Sequence, residues 1–431
     1  MKSIMMSFIR WKTKGYVLIS SSSMLFNQIQ NSDQAPPPCP PGPPQLAIIR
    51  NLHVLGGSGT LPHRSLQSLS KRYSPIMSLQ LGNVPTVVVS SPEAAELFLK
   101  THDTVFANRP KFETALRLWS TGRTGETASK LASFGALRKR EIGAMVESLK
   151  EAAMAREIVD VSERVGEVLR NMACKMVLGR NKDRRFDLKG YMSVSVAFIL
   201  ADYVPWLRLF DLQDQPIHPH DGHAHIIDKR SNKGIVFDMI IGSSETSKLV
   251  RHPRVMENLQ NELKNVVGIN KMVEENDLAK LCYLDTVVKE TLRLHPVVPL
   301  LAPHESMEAI VIEGYYMKKK SRVIINAWAI GRHPKVWSEN AEVFYPERFM
   351  NDNVDFKGQD FPLIPFGSGR TSCPGMVMGL TIVKLVLAQL LYCFHWGLPY
   401  GIDPDELDMN EKSGLSMPRA RHLLVIQWWQ V

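Results

Sequence analysis

Apolar residues recur along this 431-residue chain in two rhythms, alternation and a spacing near 3.6, and each predicts its own kind of element. Residues 76–81 and 86–89 alternate or run apolar on either side of Gly82-Asn83, which predicts a β-hairpin. Ser91-Pro92-Glu93 supplies a capping hydroxyl, a proline at the first helical position and an acidic first turn, predicting a helix over 92–101. Residues 137–155 and 159–178 read as amphipathic helices rich in Glu, Arg and Leu. Helical segments resume at 237–247, 255–267, 275–281 and 285–295. Short runs at 310–312, 315–317 and 322–325 predict strands, the apolar run 376–394 predicts a helix, and 423–428 predicts a last strand.

The N-terminal end is read differently. Lys2, Arg10, Lys12 and Lys14 precede residues 15–26, a stretch broken by four serines at 20–23. A spanning helix needs about 20 mostly apolar residues, so segment 1–35 falls short as a membrane anchor. No small-residue cleavage site follows a continuous apolar core, so a signal peptide also fits badly. Residues 36–45, rich in proline, form a stiff extended linker.

Charge and cysteine usage narrow the class. With 52 basic and 43 acidic residues the net charge is +9, spread along the chain. A modest positive excess suits an acidic partner or an anionic membrane surface. Without basic–aromatic patterning it argues against a nucleic-acid binder. The cysteines at 39, 174, 282, 373 and 393 include no Cys-x-x-Cys spacing and read as reduced, mostly buried thiols with one ligand among them. His218, His220, His223 and His225 have loop spacing and little acid nearby, so they read as a solvated linker rather than a metal site.

The candidate chemistry lies in Phe366-Gly367-Ser368-Gly369-Arg370-Thr371-Ser372-Cys373-Pro374-Gly375, just ahead of the apolar run. Its glycines let backbone approach a flat ligand closely. Cys373 stands at a helix entrance, where unpaired N–H groups and the dipole favour a thiolate. A thiolate so placed, with Phe366 seven residues upstream, is one way to hold haem iron. The plainer alternative is a glycine turn leading into a core helix with an inert cysteine.

That stretch resembles the haem-binding loop of the cytochrome P-450 superfamily, the haem-thiolate monooxygenases. Lys289-Glu290-Thr291-Leu292-Arg293-Leu294-His295-Pro296 is similar to the family's Glu-x-x-Arg helix, and Tyr345-Pro346-Glu347-Arg348-Phe349 to its Pro-Glu-Arg-Phe segment. Ile241-Gly242-Ser243-Ser244-Glu245-Thr246-Ser247 resembles its oxygen-binding helix, and Phe106-Ala107-Asn108-Arg109-Pro110 a segment before the substrate loop. The resemblance is to plant microsomal members. It implies a mainly α fold with small β-sheets (α+β), a single large domain over 46–431 behind the 36–45 hinge, and a b-type haem. Cys373 would be the iron ligand, with Phe366 screening the sulfur and Gly369 and Gly375 in close approach. Arg370 would meet a propionate, and His304 stands where the family has a propionate-binding arginine. Glu245 and Thr246 would handle protons, while Glu290, Arg293 and Arg348 would lock the core behind the loop. Electrons would come from NADPH through a flavin reductase, at the cytosolic face of the endoplasmic reticulum membrane, to oxidise a small apolar substrate.

Departures from the family pattern give two rival readings: a defective haem-binding or misfolded paralogue, and a haem-thiolate isomerase or dehydratase that does not use O2. Internal deletions are expected near 213–216 and 247–249. Trp119 and Arg123 have the spacing of a propionate-binding Trp-x-x-x-Arg helix, yet residues 121–125 are poor helix formers. Residues 122–127 can be encoded GGC-CGT-ACT-GGA-GAA-ACG, which from the third base reads Pro-Tyr-Trp-Arg-Asn, similar to the family's own sequence there. A local frame shift is the expectation at that point.

Overall fold

The computed structural model describes residues 37–47, 49–56, 60–110, 133–178, 248–268, 271–412 and 419–430. Helix α1 (Pro62–Arg72) begins on a proline whose missing N–H costs nothing at a helix start. Strands β1 (Ile76–Leu81) and β2 (Val84–Val89) form the predicted hairpin, with Gly82 supplying a φ of 54° at its turn. Helix α2 (Pro92–Glu96) is capped as its sequence indicates, Ala94 N–H donating to Ser91 Oγ at 3.2 Å. Residues 92–101 are not one regular helix, however. From Leu97 to Thr101 the backbone widens into a π-helical turn, closed by His102 N–H on the Leu97 carbonyl at 2.9 Å. That turn keeps Phe98 and Leu99 in the interior.

Helix α3 (Gly135–Met154) follows, and then the segment expected as one helix divides. Val159–Asp160 pairs as strand β3 before helix α4 (Val161–Leu178) starts. Helix α5 (Pro253–Val267) leads to a 3-10 turn, Glu275–Lys280, where a full helix was expected. A reciprocal Glu274/Asp277 capping box starts that turn and i→i+3 bonding closes it at Leu281. Helix α6 (Cys282–Leu294) precedes strands β4 (His304–Glu305), β5 (Ile310–Ile312), β6 (Tyr315–Met317) and β7 (Arg322–Ile325). Helix α7 (Met376–Cys393) is followed by β8 (Phe394–Gly397), a strand the sequence reading missed, and by β9 (Leu424–Trp429).

The chain divides into two units. One, within the described residues, is 37–39 with 310–317, where β5 and β6 pair antiparallel and Tyr316 N–H donates to the Pro38 carbonyl at 2.8 Å. The other begins at Pro40 and contains everything else described, so the proline-rich stretch contributes residues to both units. Within the larger unit, Pro40 and Pro41 run along β1, their carbonyls accepting from Ser78 Oγ and N–H at 2.6 and 2.8 Å.

The larger unit holds a four-stranded sheet in the order β1-β2-β7-β4, in which only the β2–β7 pair is parallel, and a three-stranded sheet β3-β9-β8. Its main core gathers around α7, which packs on α3, α5 and α6. Leu387, Ala388, Leu390 and Leu391 are at most 1% exposed; each buried leucine contributes about 1.5–3 kcal/mol. Among the described residues α7 is the one helix long and apolar enough to cross a membrane, and most of it is buried in this core. Its Gln389 is satisfied there, accepting from Val273 N–H at 3.0 Å and donating to Cys393 Sγ at 2.9 Å.

Candidate active site

The cysteine loop is held from inside and outside. Cys373 N–H donates to the Phe366 carbonyl at 2.9 Å, closing the loop 366–373, and Gly375 forms the N-cap of α7. Cys373 is a half-buried thiol packed against the main core, and Phe366 is buried there with Phe356 edge-on at 6.3 Å. Ser368 Oγ donates to the Gly358 carbonyl, tying the loop to the chain ten residues earlier. Gly369 has a φ of 66°, and a Cβ there would fall 2.4 Å from the Leu99 carbonyl. Its lack of a side chain therefore serves contact with the π-helical turn. Gly375 has an ordinary φ of −88° and lies where the helix begins.

Behind the loop, α6 and the 3-10 turn Pro346–Phe349 share a buried ion-pair network. Glu290 accepts from Arg293 Nε and Nη2 at 2.6 and 2.9 Å, from Arg348 Nε at 3.1 Å and from Tyr345 N–H at 2.7 Å. The side chains of Glu290 and Arg293 are 0% exposed. Arg293 also donates to the carbonyls of Gly331, Ala341 and Val343 at 2.5–3.2 Å. All three residues singled out in the sequence thus meet, with Glu290 Oε1 accepting three of these bonds and Oε2 one. A buried pair is worth having only when its remaining donors and acceptors are satisfied in this way.

The two residues expected to meet propionates, Arg370 and His304, each have a protein partner. Arg370 is exposed and donates from Nε to Asp103 Oδ2 at 3.0 Å, so its charge is already answered by a carboxylate. His304 is buried, and its Nδ1–H donates to the Phe106 carbonyl at 2.8 Å. Burial, with Arg109 nearby, pushes the imidazole down to about 3, so it is neutral. Its remaining nitrogen is then an acceptor, which is the wrong polarity for a carboxylate.

The cation that does stand over the loop is Arg109, to which the sequence reading gave no role. One Nη donates to the Thr371 carbonyl at 3.0 Å, and the other to the carbonyls of Pro303, at 3.0 Å, and Ala302. Burial pushes its guanidinium down to about 10, and among the described residues no carboxylate pairs with it. Nothing local in Asn108-Arg109-Pro110 marks this role, since the contacted carbonyls lie 193 to 262 residues away.

Glu245, Thr246, Ile241, Trp119 and Arg123 lie outside the described residues, as do the stretch 122–127, where a frame shift is the expectation, and the histidines read as a linker, His218, His220, His223 and His225. The side of the site that is described fits a haem. It offers a half-buried thiol on a tightly bonded loop, the buried Phe366 joined to it through the backbone, and a desolvated guanidinium that no carboxylate among the described residues answers.

Comparison with known proteins agrees. The family model for cytochrome P450 matches residues 40–124 and 237–426. The chain is 46% identical to cytochrome P450 CYP736A12 of Panax ginseng over 90% of this chain and 92% of that protein. It is 36% identical to cytochrome P450 71A1 of Persea americana, covering 85% and 89%, and 35% identical to cytochrome P450 736A117 of Prunus mume, covering 88% of each. The alignment with the ginseng protein runs over 466 positions, more than the 431 residues present, so gaps must open in this chain. With the cysteine loop, the buried Glu290 network and these relatives agreeing, the chain belongs to the cytochrome P450 family, the haem-iron oxidoreductases known as monooxygenases.

Proposed function

We propose that this chain is a monooxygenase for a small apolar organic substrate, with Cys373 as the iron ligand and electrons delivered from NADPH through a flavin reductase. The observation that carries the reading is the loop 366–373, closed by the Cys373 backbone N–H on the Phe366 carbonyl, which sets the half-buried Cys373 thiol at the foot of α7. Haem, when bound, supplies the activation of dioxygen, and a thiolate ligand favours O–O cleavage by donating electron density.

The rest of the work belongs to the chain's own residues. Phe366 keeps water from the sulfur's side of the site through its burial in the core. Val297, Val298 and Leu301, all at most 9% exposed, supply an apolar stretch suited to an apolar substrate. Glu245 and Thr246 are the groups assigned by sequence to hold and pass protons. Glu290, Arg293 and Arg348 touch no substrate and keep the core behind the loop in one arrangement. Residues 1–35, short of a spanning helix by their composition, would give at most a weak attachment to the endoplasmic reticulum membrane.

The test is reconstitution of the haem-loaded chain with a plant NADPH-dependent flavin reductase and a panel of small apolar compounds under labelled dioxygen. A product carrying one labelled oxygen, formed only with both NADPH and reductase, is the expected result. NADPH consumption without any oxygenated product across the panel would contradict the reading.

A further inference from the structure

Two loops that share no sequence neighbourhood meet on one side chain. The first is the cysteine loop, through the Thr371 carbonyl two residues ahead of Cys373. The second is the corner 301–303, through the carbonyls of Ala302 and Pro303. Both are held by the guanidinium of Arg109. A planar guanidinium with donors fixed on two Nη groups can bridge two acceptors in a set geometry, which an ammonium cannot reproduce.

Three features say that this contact does more than fill a gap. Leu301, immediately before the corner, is buried with a φ of 46°, a conformation unfavourable for a leucine that persists only where surroundings impose it. The 301–303 corner also ends the apolar stretch 297–301. Finally, Arg109 gives up hydration to make these contacts, and among the described residues it gains no carboxylate in return. Charge-assisted hydrogen bonds from a desolvated donor are the strong kind.

We propose that Arg109 is a positioning residue for Cys373: by clamping the Thr371 carbonyl to the 302–303 corner, it fixes the approach of the cysteine loop and the apolar 297–301 wall together. It acts through backbone and touches neither the sulfur nor the substrate in this account. The inference rests on the reading of Cys373 as the iron ligand. Its test uses the full chain before haem is added, so failure of haem binding and failure of the clamp are separately visible.

The experiment measures alkylation of Cys373 by N-ethylmaleimide in a chain carrying Cys39→Ser and Cys282→Ser, which removes the two exposed thiols. The buried Cys174 and Cys393 serve as internal reporters of the folded core. Losing a charge-assisted bond that restrains a loop should raise local opening about tenfold or more. Arg109→Gln is therefore expected to speed labelling of Cys373 by that factor while Cys174 and Cys393 stay protected. Arg109→Lys, able to reach only one of the two loops at a time, should fall between the variant and the parent, and it decides the matter if Arg109→Gln does not fold. Unchanged Cys373 labelling would overturn the proposal. So would labelling that rises only in step with Cys174 and Cys393, which would make Arg109 a contributor to general stability.

Discussion

At position 290 a single carboxylate answers two guanidiniums and a backbone N–H with no exposure to solvent. Replacing it by glutamine leaves one carbonyl oxygen where two charged oxygens accepted four hydrogen bonds. It also leaves Arg293 buried without a counter-charge. Glu290→Gln is expected to cost about 3–5 kcal/mol, seen as a lower urea midpoint with an unchanged slope. A change below about 1 kcal/mol, the size expected of an exposed pair, would contradict the reading. The exposed Arg254, paired with Glu347 at 2.7 Å, offers that comparison within the same protein. At this scale the sequence was informative where spacing is local: Glu290 and Arg293 lie one helical turn apart on one helix. It was blind where partners are remote, as with Arg109. Arg370 shows a third case, since neither its motif nor its spacing told that Asp103 would take its charge.

Between elements, a second carboxylate does the joining. Glu411 accepts from Arg64 of α1 at 3.1 Å and meets His295, just past the end of α6, at 3.2 Å, with the α1 residue His63 at 3.7 Å. Burial holds both imidazoles down at about 4, with Lys248 and Arg332 adding to the effect at His295. Glu411 is held down at about 2 despite its burial, by its bond to His295 and by the cations around it. The signs agree. Each histidine is neutral in the fold and protonates more readily when unfolded, so its stabilising effect is lost as pH falls from about 6.5 toward about 4. Glu411 adds to the loss as pH falls from about 4.5 toward about 2. The urea midpoint should therefore fall steadily on acidification through the histidine window, by up to roughly 1.4 kcal/mol per pH unit for each histidine. A flat or rising midpoint would contradict the assignment.

The elements themselves were mostly visible in the pattern. The capped start at Ser91, the β1–β2 hairpin and the three short strands from 310 to 325 follow from turn residues, caps and apolar runs. The π-helical turn, the strand β8 and the early strand β3 were not visible. Each arises from tertiary pairing, of Leu99 against Gly369 and of β9 with β3 and β8, which no local period encodes.

For the whole molecule, the question is whether a shortened chain still assembles one site. Its family match breaks between 124 and 237, and its alignment to the ginseng relative is longer than the chain itself. The loss expected near 213–216 falls in that stretch, outside the described residues, while the one expected near 247–249 lies past its end, where Lys248 and Leu249 are described and buried. Against this, the parts that hold Cys373 are complete: the loop hydrogen bonds, the Glu290 network and the apolar α7. Since these elements come from distant parts of the chain and share one core, the cysteine side of the site is expected to form before any ligand arrives.

That claim is met most directly by the reduced, carbon-monoxide-bound difference spectrum of the full chain supplied with haem, recorded beside Cys373→Ser. A Soret band at the thiolate-ligated position is expected in the parent chain, and its loss in the variant. A parent chain that takes up no haem, or whose band matches that of Cys373→Ser, would contradict it.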